Sequence, residues 1–429
     1  MTAPIRPTTP TGELAAAPRR AALRAELEAI PRLSTGFVDA AEGERVVAWL
    51  DSGLRPGRPG RLVLEYPLLF APGSEALPIT VWSGARPVSF CMLWPARFAL
   101  GGGTLRTALV SLVYTDPRDR GRGLARQAIA RALREAKARE LGLCLLWSDL
   151  DDFYASQGFT RAGDETLLVL DADVLARVRA GSDLGLDSGS GSREEPGAES
   201  SDSAPTRVER AGAADWPAIA ALRARRRCHA VLPDEGAALA QIPGLDVRVA
   251  RGAEGVVAFA MCGRGDDFGG VIHEWGGDAE AVLGCCAALL DDAGPGRGLL
   301  LLSPDEPSEL GWRLRAAGAQ RLANPLAWFE LASLPALASD LETLAPSFSQ
   351  AVRLEVAAAS EAAAVGIELV ARRTGARCRL SPPELVALLF SKPTESRAAA
   401  ARARIGSIAP AAVLAELPLP LFVWGLESI

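Results

Sequence analysis

Apolar residues along the chain are gathered into short runs that turn-forming residues separate. The runs at 109–114 and 143–147 are almost wholly apolar, and each predicts a buried strand. Between them, residues 125–140 place apolar side chains among arginines in the way typical of a helix with one buried face. A glycine-rich turn at 120–125 joins the first strand to this helix. The pattern predicts a mixed α/β fold.

This turn is a candidate anion site. From Arg120 to Ala125, the backbone N–H groups that open the helix have no partner within it. The helix dipole adds partial positive charge at that end, and Gly121 and Gly123 let a ligand approach the main chain closely. The turn therefore predicts a seat for a phosphate or pyrophosphate group.

Other interpretations of the turn compete with this one. A Walker loop requires G-x-x-x-x-G-K-[ST], which the chain lacks. A dinucleotide fingerprint requires G-x-G-x-x-G/A, and the string from Gly121 to Arg126 begins that pattern but ends in arginine. A surface turn rich in Gly and Arg stays open on this motif alone, because short motifs also occur by chance.

A second motif follows the strand at 143–147. Tyr154 is followed by three residues and then by Gly158 and Phe159. The order strand, Arg/Gly turn, helix, strand and Tyr-x-x-x-Gly-Phe is much more specific than either motif. The alternative for Tyr154 is a packed aromatic residue at a helix end.

Together these motifs resemble the GNAT N-acetyltransferases, whose loop signature is R-x-x-G-x-G/A, over about residues 30–175. The resemblance implies that the loop holds the pyrophosphate of acetyl-coenzyme A and that Tyr154 protonates the departing thiolate. It also implies that the main chain of the preceding strand aligns the pantetheine. The cofactor-binding residues that it implies are Leu112, Val113, Tyr114, Arg118, Arg120, Gly121, Arg122, Gly123, Leu124 and Ala125.

The chain repeats itself in a degenerate form. The stretch 81–88 lines up with 249–256, each a predicted hairpin, and 156–170 lines up with 316–331 in the same order. In the second copy, Asp278 and Glu280 stand where the first has the arginine-rich loop, and Leu314 matches Tyr154. Carboxylates would repel a pyrophosphate. We expect this copy to fold like the first without binding acetyl-coenzyme A.

The last segment is different again. Residues 353–356 and 366–370 predict short strands, and 382–389 predicts a helix. The tail 417–429 is unusually apolar for a chain end and is expected to pack against the body. Three such parts resemble the enhanced-intracellular-survival acetyltransferases, in which the end piece is like sterol carrier protein and the terminal carboxylate enters the catalytic site. Here Ile429 replaces the usual terminal aromatic residue.

The fold class that we predict is therefore α/β (α+β). It comprises tandem GNAT folds, the second degenerate, and a small α+β C-terminal domain resembling sterol carrier protein. The predicted divisions are an N-terminal tail or helix at 1–28, a catalytic GNAT domain at 29–180, a flexible acidic linker at 181–206, a degenerate GNAT-like domain at 207–335 and a C-terminal α+β domain at 336–429.

Composition limits the number of domains, the cellular location and the metal sites that the protein can be expected to have. The 429 residues are 49 % hydrophobic, which suits two or three domains. No apolar run reaches the roughly 20 residues that span a bilayer, and the N-terminus lacks the apolar core of a secretion signal. An odd number of cysteines, 7, without framework spacing predicts a cytoplasmic location. With only 2 histidines, a metal site is not expected.

The net charge of −6 is concentrated in one place. The segment 181–206 holds six acidic residues and one arginine and is rich in Gly and Ser, which predicts the linker. The folded parts are therefore close to neutral, and no nucleic-acid-binding surface is expected.

For several candidate residues, the sequence allows either a chemical or a structural role. The base could be Glu65, Asp149, Asp152 or the Ile429 carboxylate, although ordinary surface or capping acids are the alternative. The strand residues 273–275 could wall an acceptor pocket or hold a buried histidine, and the arginine-rich run 223–227 could bind an anion or form a solvated helix face. Aromatic residues that could line an acceptor pocket or pack in the core are Phe70, Trp82, Trp94 and Trp147.

The predicted function is acetylation of an amine, with acetyl-coenzyme A as co-substrate, by direct attack on the thioester. Catalysis is assigned to Tyr154 and, through its carboxylate, to Ile429. The partner is a small-molecule or peptide amine, and the enzyme could form a homo-oligomer. A longer acyl donor, a sensor that binds acyl-coenzyme A without turnover, and a carrier of hydrophobic ligands built on the C-terminal domain stay open.

Overall fold

The computed structural model describes residues 31–183, 206–232, 236–304, 308–357 and 366–428. The predicted N-terminal tail at 1–28, most of the predicted linker and Ile429 therefore lie outside the described residues. Within the described ranges, no helix is long and apolar enough to cross a bilayer.

The strands lie in three sheets. In chain order they are β1 (Arg32–Thr35), β2 (Leu77–Ser83), β3 (Arg86–Leu100), β4 (Gly103–Thr115), β5 (Leu143–Leu146), β6 (Thr160–Ala162), β7 (Glu165–Leu170), β8 (Arg207–Arg210), β9 (Cys228–Ala230), β10 (Asp246–Gly252), β11 (Gly255–Cys262), β12 (Val271–Gly277), β13 (Leu299–Pro304), β14 (Arg321–Asn324), β15 (Ala327–Leu331), β16 (Val352–Val356), β17 (Ile367–Ala371) and β18 (Arg377–Leu380).

The helices connect and cover these sheets. They are α1 (Ala40–Leu54), α2 (Arg61–Glu65), α3 (Pro67–Phe70), α4 (Leu124–Ala138), α5 (Asp151–Ala155), α6 (Ala172–Asp183), α7 (Trp216–Ala224), α8 (Gly236–Leu239), α9 (Ala279–Ala293), α10 (Glu309–Ala316), α11 (Leu334–Leu344), α12 (Pro346–Ala351), α13 (Pro382–Phe390) and α14 (Ser396–Gly406).

The first sheet has the order β1-β2-β3-β4-β5-β15-β6, and β9 pairs with β3. Its neighbours are antiparallel except β4 and β5, which run parallel and are joined through α4. Parallel neighbours need such a crossover. The buried positions of α4 are Leu124, Ala128, Ile129, Ala132 and Ala136. Their three- to four-residue spacing forms one stripe, which packs against the sheet and fixes the direction in which the helix begins.

The second sheet has the order β14-β7-β13-β12-β11-β10-β8 and repeats the layout of the first. Strands β12 and β13 are its parallel pair, and α9 connects them as α4 connects β4 and β5. The predicted hairpins are present as β2–β3 and β10–β11. The fold is that of tandem GNAT domains.

The two halves exchange one strand each. Strand β7 of the first half lies in the second sheet, where Leu168 pairs with Leu301, while β15 of the second half lies between β5 and β6 of the first sheet, where Trp328 pairs with Leu146. The exchanged strands are the counterparts that the sequence repeat matched. Each sheet is therefore completed by the other half.

The C-terminal part is a small α+β unit. Strands β16, β17 and β18 form an antiparallel sheet, and α13 packs against β15 and β6 of the first sheet. The rings of Phe390 on α13 and Phe329 on β15 stack with centroids 5.2 Å apart. Likeness to sterol carrier protein stays a prediction. The apolar tail is buried from Leu417 through Glu427 at nearly every position.

Candidate active site

Strands β4 and β5 separate in the middle of the first sheet. Their pairing runs from Thr107 with Leu143 to Leu109 with Leu145, although β4 continues to Thr115. On its other edge β4 carries a β-bulge, in which Leu112 and Val113 stand opposite the single residue Cys91 of β3. Bulges bend a strand and commonly lie next to functional sites. The diverging strands leave a notch between them, and the main chain of β4 forms one side of this notch.

Leu112 is the strained residue of this bulge. Its φ of 49° lies in the left-handed region, which a branched side chain adopts only when its surroundings enforce it. The strain sits at the point where the resemblance places the pantetheine contacts.

The glycine-rich turn lies at the mouth of the notch. Gly121 and Gly123 have φ values of 77° and 73°, and a Cβ at either position would meet no atom of the described residues within 4 Å. Gly123 caps α4 without a side-chain hydrogen bond to the first turn. The opening N–H groups of α4 thus face open space at the positive end of the helix dipole, as an anion seat requires. A pyrophosphate fits this cradle.

The arginines of the turn do not all point to this seat. Arg122 is bound to Asp119, with Nη1 and Oδ1 2.5 Å apart, and Arg86 donates to the other carboxylate oxygen at 2.7 Å. Burial of Asp119 opposes ionisation, but the two guanidinium groups hold the pKa of this carboxyl below its ordinary value. Arg120 donates through Nε to the carbonyl of Thr115. Asp119 therefore fixes the turn, and it is a residue that the sequence analysis missed.

A cavity of about 660 Å³ joins the turn, the notch and Tyr154. Of the predicted cofactor and catalytic residues, those that line it are Val113, Tyr114, Arg120, Gly121, Gly123, Leu124, Ala125 and Tyr154. Leu112, Arg118 and Arg122 are not among its lining residues. The other lining residues are Gly53, Leu54, Thr115, Asp119, Arg126, Leu150 and Phe153.

Tyr154 is held in a fixed position beside the cavity. Its ring makes edge contacts with Phe153 and Phe159, at centroid distances of 4.9 and 5.9 Å, and the exchanged strand supplies Trp328 at 6.3 Å. Burial raises the pKa of Tyr154 to about 12, and a hydrogen bond with Ser148 acts in the opposite direction. The phenol is therefore protonated at neutral pH and is able to donate.

The candidate bases in the first half are not arranged for proton abstraction. Glu65 is almost fully buried, and its two oxygens accept from Arg55 at 2.6 Å and from Arg61 at 2.7 Å. A carboxylate with both oxygens bound in this way is a structural anchor. Asp149 and Asp152 are exposed and do not line the cavity. Ile429 lies outside the described residues, so its role stays a prediction.

Most of the aromatic residues proposed for an acceptor pocket pack elsewhere. Trp82 and Trp94 belong to the large buried core that residues of both halves and of the C-terminal part share. Trp147 donates its indole N–H to the carbonyl of Leu326 at 2.8 Å, and Phe70 is partly buried against the same core.

The arginine run 223–227 departs in part from both interpretations made from its sequence, since Arg225 and Arg227 are exposed but Arg223 and Arg226 are not. Arg223 and Arg226 are buried and paired with Glu274, at 3.3 and 2.6 Å, whereas Arg225 is exposed. The helix α7 ends at Ala224, so the following residues leave the helical spacing and turn toward β12. Part of the run therefore forms a buried ion cluster, which a helical pattern could not reveal.

In the second half, Asp278 stands where the first half has the glycine-rich turn, and it lines a cavity that Arg225, Arg226 and Arg227 also border. Its carboxylate caps α9 by accepting from the N–H of Ala281 at 2.9 Å. His273 is fully buried and contacts the carbonyl of Gly263 through Nε2 at 3.1 Å. Burial lowers the pKa of His273 to about 4, so it is neutral at pH 7. Within the described residues, no group of metal-ligating side chains lies together.

Comparison with known proteins agrees with this geometry. Residues 78–162 match the family model of the acetyltransferase (GNAT) domain. No curated protein matches the sequence significantly. A GCN5-related N-acetyltransferase from Anabaena variabilis has a similar structure, with a TM-score of 0.57 and 13 % identity, covering 91 % of this chain and 97 % of that chain.

Two further structures are similar over almost the whole chain. A GCN5-related N-acetyltransferase from Kribbella flavida has a TM-score of 0.54 and 17 % identity, covering 91 % of this chain and 97 % of that chain. Eis1 from Mycobacterium abscessus has a TM-score of 0.51 and 14 % identity, covering 90 % and 97 %. At these identities the likeness is one of fold. Residues 78–162 therefore form an acetyltransferase (GNAT) domain, and the chain as a whole has a tandem-GNAT, Eis-like fold.

Proposed function

We propose that the protein transfers the acetyl group of acetyl-coenzyme A to an amine by direct attack of the amine on the thioester. GNAT acetyltransferases use acyl-coenzyme A as co-substrate and act on small-molecule or peptide acceptors; the acetyl donor and the direct attack are our proposal. The observation that carries it is that the glycine-rich turn, the main chain of β4 and the Tyr154 side chain all border one cavity of about 660 Å³.

Each part of the cavity has a task. The N–H groups that open α4 would bind the pyrophosphate, helped by the guanidinium of Arg120. The main chain of Val113 and Tyr114 would align the pantetheine, because the notch leaves that edge of β4 without a β5 partner. Holding donor and acceptor together in one cleft supplies on the order of 7–11 kcal/mol at best.

Two protons must move during the reaction. The attacking amine has to be neutral, so its proton leaves to a base or through water. As the carbon–sulfur bond breaks, the electron pair goes to sulfur, and Tyr154 donates its hydroxyl proton there. Because the phenol is protonated at neutral pH, it is in the correct form for this step. Glu65 is bound by two arginines, which favours water or the chain terminus as the acceptor of the amine proton.

Catalysis is favoured over sensing without turnover by the position of Tyr154. A sensor needs the turn and the notch but no proton donor, whereas here a protonated phenol borders the same cavity. A carrier function of the C-terminal unit is less favoured, because its helix α13 is buried against the first sheet.

A screen of acceptors tests the proposal. The full chain is incubated with acetyl-coenzyme A and with amines, polyamines, aminoglycosides or lysine peptides, and the release of free coenzyme A thiol is followed. We expect at least one class to raise the release well above the rate without acceptor. Tight binding of acetyl-coenzyme A with no turnover of any class would instead support a sensor. Repeating the screen with longer acyl donors tests the chain length.

A further inference from the structure

The second half contains a notch like the one that borders the cofactor cavity. Strands β12 and β13 pair at Val271 with Leu300 and at Ile272 with Leu301, while β12 continues to Gly277. The register of β12 against β11 skips His273, as that of β4 against β3 does at its bulge. The geometry that offers a main chain to a ligand is therefore retained in the second half.

The C-terminal tail contacts β12 at this bulge. The N–H of Gly425 donates to the carbonyl of His273 at 3.2 Å, and the N–H of Leu426 donates to Glu274 Oε1 at 3.1 Å. A Cβ at Gly425 would clash with the His273 ring, so this close approach requires glycine. The indole of Trp424 meets Trp275 edge-on, with ring centroids 5.4 Å apart. In the first half, the matching stretch of β4 borders the cofactor cavity.

Buried charges hold the tail in this place. Glu427 is fully buried and accepts from Arg223 at 3.1 Å, from the N–H of Ala230 at 2.9 Å and from the N–H of Trp424 at 3.2 Å. Arg223 also reaches Glu274, which binds Arg226 at 2.6 Å. Buried ions cost stability unless they are paired, so a tail that left this place would leave Arg223 without one of its two carboxylate partners, which is costly.

The end of the tail reaches the first half through Arg264. This buried guanidinium donates to the carbonyls of Gly425 and Ser428, and its Cζ lies 4.5 Å from the centre of the Tyr66 ring. Its Nε donates to the carbonyl of Glu65 at 3.4 Å. Arg264 thus links the tail to the segment α2–α3.

That segment is joined to the cavity wall. Arg55 binds Glu65 Oε2 at 2.6 Å and Asp267 at 2.8 Å. It directly follows Leu54, which lines the cofactor cavity together with Gly53. Gly53 lies against the ring of Tyr114, and a Cβ there would clash with that ring. Contacts therefore run without a break from the tail through Arg264, Glu65 and Arg55 to the cavity wall. There Leu54 and Gly53 line the cavity, and Gly53 lies against Tyr114 of β4.

We propose that the second half acts as a receptor for the chain's own residues 424–428, and that the tail held there positions the end of α1, where Gly53 and Leu54 form part of the wall of the catalytic cavity. Trp424, Glu427 and Arg264 are positioning residues, since none of them lines that cavity. The proposal rests on the proposed acetyl transfer. It assigns to the degenerate half a task that needs its notch but no cofactor.

Substitution of Arg264 tests the proposal. We expect Arg264→Met, assayed below its melting temperature with the best amine of the screen, to lose about 10- to 100-fold in kcat/KM, because small misplacements are costly in catalysis. The turn that seats the pyrophosphate is fixed separately by Asp119, so calorimetry should show acetyl-coenzyme A affinity near that of the wild type. Arg264→Lys should recover part of the turnover.

The matched control is Arg58→Met. Arg58 forms an exposed ion pair with Asp266 across the same junction, and its loss should leave turnover near that of the wild type. A folded Arg264→Met variant with wild-type kcat/KM would overturn the proposal, as would a loss that comes wholly from acetyl-coenzyme A affinity.

Hydrogen exchange separates this proposal from the proposed function. In Arg264→Met and in Glu427→Gln, the amides of residues 61–70 should exchange faster than in the wild type and in Arg58→Met. If no amine is turned over by any variant, the proposed function fails, but this measurement still decides the role of the tail. Unchanged exchange at 61–70 in both variants would overturn it. If Arg264→Met does not fold, Glu427→Gln, which keeps the shape of the side chain, carries both measurements.

Discussion

At the scale of single residues, Tyr154 is the group whose role is most directly testable. Tyr154→Phe removes one hydroxyl and leaves the ring contacts with Phe153 and Phe159 in place. We expect kcat to fall by about 100- to 10,000-fold, the usual range for a general acid. Acetyl-coenzyme A affinity and melting temperature should change little. Wild-type turnover in this variant would mean that water or another group protonates the sulfur.

The pyrophosphate seat is tested by Gly123→Glu, which places bulk and negative charge at the opening of α4. We expect calorimetry to show no binding of acetyl-coenzyme A to the folded variant. Gly101→Glu is the control, since Gly101 also has a positive φ of 53° and open space around it, but lies in the β3–β4 turn. The control carries the same strain and charge. If Gly123→Glu binds as tightly as Gly101→Glu does, the seat is elsewhere.

Glu330 on the exchanged strand links protonation to stability. Burial raises the pKa of Glu330 from 4.5 to about 7, so the folded chain binds this proton more tightly than the unfolded chain. The free energy of unfolding therefore falls as pH rises from about 4.5 to 7, and the loss persists above. Glu330→Gln cannot ionise, so we expect it to stabilise the protein by about 1–2 kcal/mol at pH 8.

Denaturant unfolding at pH 8 and at pH 4 measures this difference, which should vanish at the lower pH. The exposed Glu75→Gln variant controls for the loss of one surface charge. Equal stabilisation of Glu330→Gln at both pH values would show that packing rather than ionisation is responsible.

The sequence revealed those site residues whose roles depend on local geometry. Gly121 and Gly123 lie in a short motif whose spacing predicted the turn, whereas the role of Tyr154 as proton donor followed only from the resemblance to the GNAT acetyltransferases. The pairing of Asp119 with Arg86 and that of Arg223 with Glu427 join residues 33 and 204 positions apart. No local pattern states such pairings, which is why the arginine run was interpreted as a solvated face or an anion site.

At the scale of elements, the two notches differ in what they offer a ligand. Helix α4 has Gly123 as its N-cap and therefore no side-chain cap, whereas α9 is capped by the carboxylate of Asp278. In the second half Trp275 also crosses from β12 to donate to the carbonyl of Leu302 at 2.9 Å. An anionic ligand would meet a carboxylate there in place of free N–H groups.

We therefore expect one acetyl-coenzyme A per chain. Calorimetric titration of the wild type should give a stoichiometry near one, and Gly123→Glu should remove the whole binding heat. Asp278→Asn, which keeps a capping side chain without the charge, should leave the stoichiometry unchanged, because Trp275 still bridges the notch. A second binding event that survives in Gly123→Glu would show that the second half also takes the co-substrate.

The spacing of apolar residues predicted the helices and strands of the first half well, but it did not show which strands pair with each other. The runs at 109–114 and 143–147 became β4 and β5, and the predicted helix became α4, which begins one residue earlier and ends two residues earlier. The matched runs in 156–170 and 316–331 contain β7 and β15, which trade sheets. Strand β7 buries every second side chain and β15 buries its first three, and either pattern would also fit a strand of the other sheet.

At the scale of the whole molecule, the exchanged strands tie the two halves into one folding unit. Strand β15 separates β5 from β6 in the first sheet, and β7 separates β13 from β14 in the second. Removing either half would leave a gap with unpaired main-chain groups in the interior of the other sheet, which is costly. The catalytic half is therefore not expected to fold stably without residues 327–331, even though every described residue that lines its cavity comes from the first half.

Cutting the chain between the halves tests whether they are held together by the peptide link or by the exchanged strands. A protease site placed at residue 190, within the segment predicted as a linker, allows the purified protein to be cleaved after folding. We expect the two fragments to remain associated in size-exclusion chromatography and to keep acetyl-coenzyme A affinity and turnover, since the exchanged strands hold them together. Thermal unfolding should stay a single transition, although at a temperature that now depends on protein concentration, because unfolding releases two chains.

The matched control is separate expression of fragments 1–190 and 191–429. Each fragment should be insoluble or unfolded alone and should recover activity only after joint refolding. A fragment 1–190 that folds alone and binds acetyl-coenzyme A as the full chain does would contradict this dependence, and would make the exchanged strand β15 an accessory of the catalytic sheet rather than a member of it.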